Sequence, residues 1–188
     1  DIPVLLSVGK DNVYIWEKGE TRLHENEAAE ILREMCQGEY MHPTSVKEGK
    51  IELVADIDGL LKVDSDKMKK INGMGELMIA SRHGNFAVKK GDKLAGTRII
   101  PLVIEREKME QAKAVCEGEP ILELKPFVHK KVGIVTTGNE VYYHRIEDTF
   151  TPVIKEKLAE YDTEVIGQEI CNDDHEKITK AILSFIER

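Results

Sequence analysis

The sequence predicts an α+β fold in two parts, a β-rich N-terminal domain followed by a three-layer α/β domain with a parallel sheet. Up to residue 118, short apolar runs alternate with tight-turn residues. Residues 119–130 contain two prolines and no helical stripe, which predicts an extended connector. From residue 131 onward, strand patterns alternate with helix patterns, as in βαβ units with right-handed crossovers. We therefore expect domains at 1–118 and 131–188.

The first elements of the N-terminal domain are predicted to be a hairpin and an amphipathic helix. PVLLSV and VYIW are strand-like and flank the turn residues GKDN. ENEAAEILREMC has the apolar spacing of a helix, with Asn26 as its expected N-cap. The apolar positions of this stripe are Ala28, Ile31, Leu32 and Met35.

The rest of this domain is predicted to consist of short strands and two further helices. IELVADIDGLLKV is typical of two strands or one bent strand, and SDKMKKIN of a short helix that stops at Gly73. ELMIASRHGNFAVKKGDKLAGTRIIPLVI predicts three or four strands separated by turns, and EREKMEQAKAVC predicts a closing helix. This region is therefore expected to be a compact α+β domain.

The C-terminal domain is predicted to contain two parallel strands and two helices. KVGIVTT and TEVIGQEI are the strands, and TFTPVIKEKLAEY and DDHEKITKAILSFIER are the helices. Thr149 or Thr151 is the expected cap of the first helix, with Pro152 in its first turn. A third strand is expected beyond Arg188, so the domain is interpreted as the first half of a larger one.

Composition excludes some classes of function. A net charge of -8 argues against a general binder of nucleic-acid backbones. No run approaches the roughly 20 apolar residues that span a bilayer. The three cysteines are scattered and are expected to be free thiols in a reducing compartment, which favours a cytoplasmic protein.

Polar residues gather where the two predicted parallel strands end. The sequence TTGNE follows the first strand, and Asn172, Asp173 and Asp174 follow the second. Because ligands of open α/β sheets bind at the carboxyl ends of strands, these residues are expected to share one rim. Each of them taken alone is also compatible with a helix cap or a turn. As a group they favour a binding site, where carboxylates could hold Mg²⁺ beside a phosphate.

Residues 130–188 resemble the first half of the molybdopterin-binding domain, which molybdopterin molybdotransferases, molybdopterin adenylyltransferases and competence-damage-inducible proteins share. The resemblance lies in VGIVTTGNEV and in IEDTFTPVIKEKLAEYDTEVIGQEICNDDHEKITKAI. In the family the first strand ends in Ser/Thr-Thr/Ser-Gly-Asp-Glu, and Asn139 stands here in place of the usual Asp. The family's Asp-Ser-Asn at the helix start corresponds to Asp148, Thr149 and Phe150, and its acidic residue after the second strand to Asp173.

The resemblance implies a set of site residues. Asp173 is the expected catalytic carboxylate, and Glu140 and Asp173 are the expected metal ligands. The expected cofactor-binding residues are Thr136, Thr137, Gly138, Asn139, Glu140, Asp148 and Thr149. The implied ligands are molybdopterin, which is a pterin phosphate, together with Mg²⁺ and molybdate.

The resemblance further implies a role in molybdenum cofactor biosynthesis or delivery, with molybdate insertion by a molybdotransferase-like enzyme as one form of it. A homodimer or homotrimer and contact with a molybdenum enzyme are the implied partners. Two alternatives stay open at this point. One is a Mg²⁺-dependent nucleotide-processing hydrolase of the competence-damage-inducible type, and the other is a non-catalytic scaffold that handles the cofactor.

Overall fold

The computed structural model describes residues 2–12 and 19–188 of the chain. It divides into two compact units, Asp1–Lys125 and Pro126–Arg188. Both units mix helices and strands, in agreement with the α+β class predicted from the sequence. The second strand of the predicted N-terminal hairpin, VYIW, lies outside the described residues.

The N-terminal unit contains three small antiparallel sheets and four helices among its described residues. The sheets have the strand orders β1-β8, β2-β3-β7-β5 and β6-β4-β9. Its elements are α1 Ile2–Ser7, β1 Arg22–His24, α2 Glu25–Cys36, β2 Met41–Pro43, β3 Lys50–Ala55, β4 Gly59–Val63, α3 Ser65–Asn72, β5 Leu77–Ser81, β6 Phe86–Val88, β7 Lys93–Ile99, β8 Val103–Glu105, α4 Arg106–Cys116 and β9 Leu122–Pro126.

Helix α2 lies at the centre of the core of this unit. The apolar stripe predicted from its sequence packs against β3, β7 and α4. Leu32 is fully buried, and Met35 and Cys36 are buried on the same side. The 3.6-residue spacing of the apolar side chains explains why one face of the helix is covered while the opposite face carries Glu30 and Arg33.

The N-cap of α2 is His24, and the prediction of Asn26 is wrong. The Nδ1 atom of His24 accepts a hydrogen bond from the Asn26 amide at 3.2 Å, and the Glu27 carboxylate accepts one from the His24 amide. This arrangement is a capping box with histidine in the first position. The Asn26 side chain instead accepts a hydrogen bond from the amide of Gly49 at 3.0 Å.

The segment PVLLSV is helical and not a strand, so the prediction for this segment is wrong. Helix α1 buries none of its residues, and its turns are held by local bonds such as that from the Ser7 hydroxyl to the Val4 carbonyl. A short apolar run carries no period that separates strand from helix. Pro3 is compatible with a first helical turn, because proline lacks only an N–H that would have no partner there.

The predicted extended connector contains a strand of the N-terminal unit. Strand β9 joins the sheet of β4 and β6, and Leu122 and Leu124 are buried in the core. Gly59 lies so close to this strand that an added Cβ would be 2.5 Å from the Lys125 carbonyl oxygen. The extended conformation is thus used for pairing with β4.

The C-terminal unit is a parallel strand pair with three helices. Its elements are β10 Lys130–Thr137, α5 Asn139–Tyr142, α6 Phe150–Ala159, β11 Thr163–Cys171 and α7 His175–Ile186. Strands β10 and β11 pair in parallel from Lys130 opposite Thr163 to Thr137 opposite Cys171, with an irregularity between Val132 and Gly133. The two strands and helices α6 and α7 occur in the predicted order, and the short helix α5 between β10 and α6 was not predicted.

Two paired glycines bring helix α7 close to the strands. Gly133 lies opposite Gly167 in the register, and Phe185 of α7 packs over both. An added Cβ on Gly133 would be 2.3 Å from the ring of Phe185. Thr136 and Gln168 contact Thr151 of α6. The strand pair therefore presents one face to α7 and the opposite face to α6.

In the part of the chain that the structure describes, no helix has both the length and the apolar character needed to cross a lipid bilayer.

Candidate functional site

The predicted rim forms where β10 and β11 end. Thr137 and Cys171 are register partners at the last position of the pair. The chain then continues from both strands at the same edge, and the Gly138 amide donates a hydrogen bond to the Cys171 carbonyl oxygen at 3.2 Å. The Asn139 side-chain amide donates to the Asp173 carboxylate at 2.7 Å. The two loops that follow the strands are therefore joined by one backbone and one side-chain hydrogen bond.

The turn between β10 and α5 requires glycine at its first position. Gly138 has φ 139° and ψ 129°, a conformation that L side chains rarely adopt. A Cβ at this position would also be 2.9 Å from Oε1 of Glu140. The Glu140 carboxylate thus lies against the glycine, beside the start of α5.

The two threonines of the rim have opposite orientations. Thr136 faces helix α6, where its hydroxyl oxygen lies 3.0 Å from that of Thr151. Thr137, the next residue along the strand, therefore points to the other face, and it is exposed. Thr137 is the exposed one of the two, and the Thr136 hydroxyl is engaged with Asp148 and Thr151.

Thr149, one of the two predicted residues, occupies the N-cap position of helix α6, but Asp148 accepts the capping hydrogen bonds. Its Oδ1 accepts hydrogen bonds from the amides of Phe150 at 3.0 Å and Thr151 at 3.1 Å. Its Oδ2 accepts one from the Thr151 hydroxyl at 2.5 Å. Thr149 makes no side-chain capping bond. The hydrogen bonds from the Thr151 hydroxyl, then from the Thr151 amide, hold the pKa of Asp148 below its usual range.

Gln168 is a member of this cluster that the sequence interpretation missed. Its side-chain amide lies 2.9 Å from both Oδ2 of Asp148 and the hydroxyl oxygen of Thr151. In the strand TEVIGQEI the glutamine shares a face with Ile166 and Ile170, a position expected to be apolar in a covered strand. The presence of a polar residue at that position in the sequence could have indicated that Gln168 bonds to a polar group of the covering helix.

Two further residues follow β11. Asp174 caps helix α7 by accepting hydrogen bonds from the amides of Glu176 at 2.9 Å and Lys177 at 3.2 Å. The Oδ1 atom of Asn172 is buried and has no hydrogen-bond partner among residues 2–12 and 19–188. Buried carbonyl oxygens are nearly always paired, so a donor from outside the described chain is expected at this atom.

The metal ligands inferred from the resemblance do not form a preassembled cage. Within the described ranges, no group of three or more His, Cys, Asp or Glu side chains is arranged to hold a metal ion. Asp173 is paired with the amide of Asn139, and Glu140 lies against Gly138. Binding of Mg²⁺ by Glu140 and Asp173 stays a prediction.

The sequence-predicted residues thus fall into two groups. The Gly138, Asn139, Glu140 and Asp173 group lies at the carboxyl edge, where the two strands end. Thr136 and Asp148 form the second group, beneath α6. The Nζ atom of Lys177 in α7 lies 5.6 Å from the ring of Tyr142 in α5.

Comparison with known families finds a match within the C-terminal unit. Residues 133–188 match the model of the family described as "Probable molybdopterin binding domain". This match confirms the family predicted from the sequence for this part of the chain. No curated protein and no solved structure matches the chain.

Proposed function

We propose, from the match of residues 133–188 to this molybdopterin-binding family, that the C-terminal unit binds molybdopterin and that the protein acts in the biosynthesis or delivery of the molybdenum cofactor. The hydrogen bond between Asn139 and Asp173 is the observation that supports it most directly. It joins the two loops at the carboxyl ends of parallel strands, the position where α/β sheets bind their ligands. We expect the three-layer architecture of the family to be built around this pair.

The edge residues have the hydrogen-bonding groups that a phosphate requires. The first N–H groups of α5, which begins at Asn139, have no partner inside the helix and can donate to an anion. The exposed hydroxyl of Thr137 precedes them by two residues. We propose that the phosphate of the pterin binds to these donors.

The Glu140 carboxylate is the reason that the proposed site includes a cation. It lies beside the same amides and would repel a phosphate dianion in a site without a metal. Mg²⁺ prefers carboxylate, phosphate and water oxygens and would screen this repulsion. We propose that Glu140 and Asp173 hold this ion, and that Asn139 orients the Asp173 carboxylate. When bound, the ion would supply charge neutralisation and Lewis-acid chemistry to phosphate or molybdate oxygens.

The buried Oδ1 of Asn172 fits a site completed by a ligand. It lies in the residue immediately before Asp173 and lacks a donor among the described residues. A pterin offers several N–H groups, and an ordered water bound with the ligand could also donate. Asp148 and Thr149 remain in the proposal as residues that fix the start of α6 beside Thr136.

The proposed function extends to partners. A two-stranded sheet leaves one open edge on each strand in the described part of the unit, which supports pairing with further strands or a second copy. We propose a cytoplasmic homo-oligomer, dimer or trimer, that transfers its product to a molybdenum enzyme. Asp173 is the proposed catalytic carboxylate if molybdate is inserted by this protein.

Titration with molybdopterin tests the proposal. We expect saturable binding by the full chain with Mg²⁺ present, followed through pterin fluorescence. The double variant Glu140→Ala, Asp173→Ala should bind about tenfold more weakly or worse, because each lost carboxylate removes a charge-assisted interaction. Removing Mg²⁺ with a chelator should weaken binding by the unmodified chain.

Asp66→Ala, Glu110→Ala is the matched control, since it removes two exposed carboxylates of the N-terminal unit. It should bind as the unmodified chain does. Equal affinity of both double variants would contradict the proposed site. Turnover of a dinucleotide with no binding of pterin would contradict the proposed ligand.

A further inference from the structure

A polar cavity lies in the N-terminal unit. Its volume is about 320 Å³, at the lower end of the range of small-molecule sites. It opens beside the hairpin of β2 and β3 and the neighbouring strand β7. Its lining residues are Thr44, Ser45, Lys47, Glu48, Lys50, Glu52 and Arg98.

The turn that forms one wall of the cavity is held rigidly. Glu48 has φ 49° and Gly49 has φ 68°, the left-handed pair of a type I′ turn. The backbones of Lys47 and Lys50 exchange hydrogen bonds of 2.9 and 3.0 Å across it. The Gly49 amide donates to the side chain of Asn26. These bonds fix the backbone positions from which Lys47 and Lys50 project.

Gly49 also holds the turn against the neighbouring strand β7. A Cβ on Gly49 would be 2.9 Å from the Ile99 carbonyl oxygen, and the Ile99 amide donates to the Gly49 carbonyl at 2.9 Å. The turn is therefore in direct contact with the end of β7, the strand that carries Arg98.

The positive charges of the cavity exceed what its carboxylates neutralise. Glu52 accepts from Lys50 at 2.8 Å and from Lys93 at 2.7 Å. The hydrogen bonds from Lys50, then Lys93, lower the pKa of Glu52 to about 2, so this carboxylate is ionised and already matched by two ammonium groups. Within the described ranges, the side chains of Lys47 and Arg98 have no hydrogen bond or ion pair. Glu48 at the tip of the turn balances only one of them.

The cavity also provides hydroxyl donors and an open floor. The Thr44 hydroxyl oxygen accepts from the Glu52 amide at 3.0 Å, which leaves its hydrogen free to donate. Ser45 is exposed beside it. Gly96 lies opposite Glu52 in the register, and nothing comes within 4 Å of the Cβ that it lacks. A ligand could therefore approach the sheet closely at Gly96, beside Glu52 and two residues along β7 from Arg98.

We propose that this cavity is a binding site for a tetrahedral oxyanion, either free or as the phosphate group of a small metabolite. Lys47 and Arg98 provide the unpaired cations, with the guanidinium able to donate two parallel hydrogen bonds to such an anion. The hydroxyls of Thr44 and Ser45 add neutral donors. A localised positive site on a chain of net charge -8 would concentrate small anions against the general repulsion.

NMR titration of the full chain tests this site, with inorganic phosphate and glycerol 3-phosphate as separate probes at constant ionic strength. We expect saturable shifts of amides in 44–52 and 96–98. The double variant Lys47→Gln, Arg98→Gln should weaken binding about tenfold or more, as expected for loss of hydrogen bonds to a charged group. Tighter binding of the ester would identify a phosphorylated metabolite as the ligand class, and equal binding would identify the free oxyanion.

Lys69→Gln, Lys70→Gln is the control, because it removes the same charge from the exposed face of α3. Its affinity should change less than about twofold, as expected for screened surface charge. Shifts that do not saturate, or that persist unchanged in the Lys47→Gln, Arg98→Gln protein, would overturn the proposal. Because the probes contain no pterin and the residues belong to the N-terminal unit, this outcome is independent of molybdopterin binding by residues 133–188.

Discussion

At the scale of single residues, His129 is a pH-sensitive group in the C-terminal unit. Its Nδ1 lies 3.0 Å from the Asp162 carboxylate, and its Nε2 lies 3.7 Å from that of Glu164. The hydrogen bond that the Asp162 carboxylate accepts from the imidazole, followed by the charge of Asp162, raises the pKa of His129 above the ordinary value. The pair joins the start of β10 to the start of β11, where the Lys130 amide also donates to the Asp162 carbonyl.

The sign of the pH effect follows from the raised pKa. The protonated imidazole is favoured in the folded state, so its contribution to stability is fully present below the unfolded pKa of about 6.5. It is lost as the pH rises through the higher folded value. We expect Asp162→Asn to return the pKa of His129 toward its ordinary value, measured by NMR titration of the imidazole. Asp66→Asn, in the other unit, should leave it unchanged, and an unchanged pKa in Asp162→Asn would show that the pair is not formed.

Several residue-scale interactions lie beyond what the sequence predicts. Asn26 and Asp148 both have residue types that cap helices, and both lie near helix starts. Only Asp148 makes its capping bonds, because Asn26 bonds instead to Gly49, which is 23 positions away in the chain. Propensity ranks the candidates for a cap, but a competing long-range partner decides which residue is used.

At the scale of elements, the glycine pair of β10 and β11 controls the packing of α7. The Phe185 ring occupies the space that a Cβ on Gly133 would need, and Gly167 is in close contact with the same ring. The sequence contains these glycines inside predicted strands, where they usually weaken the element. Their role becomes apparent only when the register places them side by side beneath one aromatic ring.

Gly133→Ala should therefore destabilise the C-terminal unit. We expect a loss of about 1–3 kcal/mol in the free energy of unfolding, the usual cost of forcing a methyl group into a packed contact. Denaturant unfolding followed in this unit would measure it. In a Phe185→Gly background the same change should cost much less, since this background lacks both the ring and the Phe185 Cβ, which would lie 2.7 Å from the added methyl carbon. Equal costs in the two backgrounds would show that Phe185 does not occupy this space.

The elements that the sequence predicts best are those with a clear period or a clear boundary. Helices α2, α3, α4, α6 and α7 were all expected, as were strands β10 and β11. Segments without a period were harder, since Ile2–Ser7 is helical and Leu122–Pro126 is a paired strand. The rim at the strand ends could be predicted from parallel pairing. The contact of Gln168 with Thr151 could not, because the sequence does not tell which face of the strand pair α6 covers.

At the scale of the whole molecule, the two units differ greatly in their cores. The main hydrophobic cluster runs from Leu23 to Leu124 and includes fully buried Leu32, Ile51 and Ile99. In the C-terminal unit the buried side chains are few: Val141, Thr151, Cys171 and Ala181. Many of its large apolar side chains are exposed, among them Phe150 and Ile186 at 73% each. Since burial of apolar area is the main stabilising contribution, the two units should not be equally stable.

This asymmetry should be visible in amide hydrogen exchange of the intact chain. We expect faster exchange in β10 and β11 than in β3 and β7, because exchange from strands requires opening of the surrounding core. Leu32→Ala removes a fully buried side chain and should cost about 2–5 kcal/mol, which would raise exchange in β3 and β7.

Binding of molybdopterin should change the exchange rates of the C-terminal unit alone. A ligand that binds only the folded C-terminal unit stabilises it by RT ln(1 + L/Kd), where L is the free ligand concentration, so added molybdopterin should slow exchange in β10 and β11 while β3 and β7 stay unchanged. Glu140→Ala, Asp173→Ala should reduce this protection at the same ligand concentration, as expected for weaker binding. Protection of both units alike, or of β3 and β7 alone, would show that the ligand binds elsewhere and that the edge of the parallel pair is not its site.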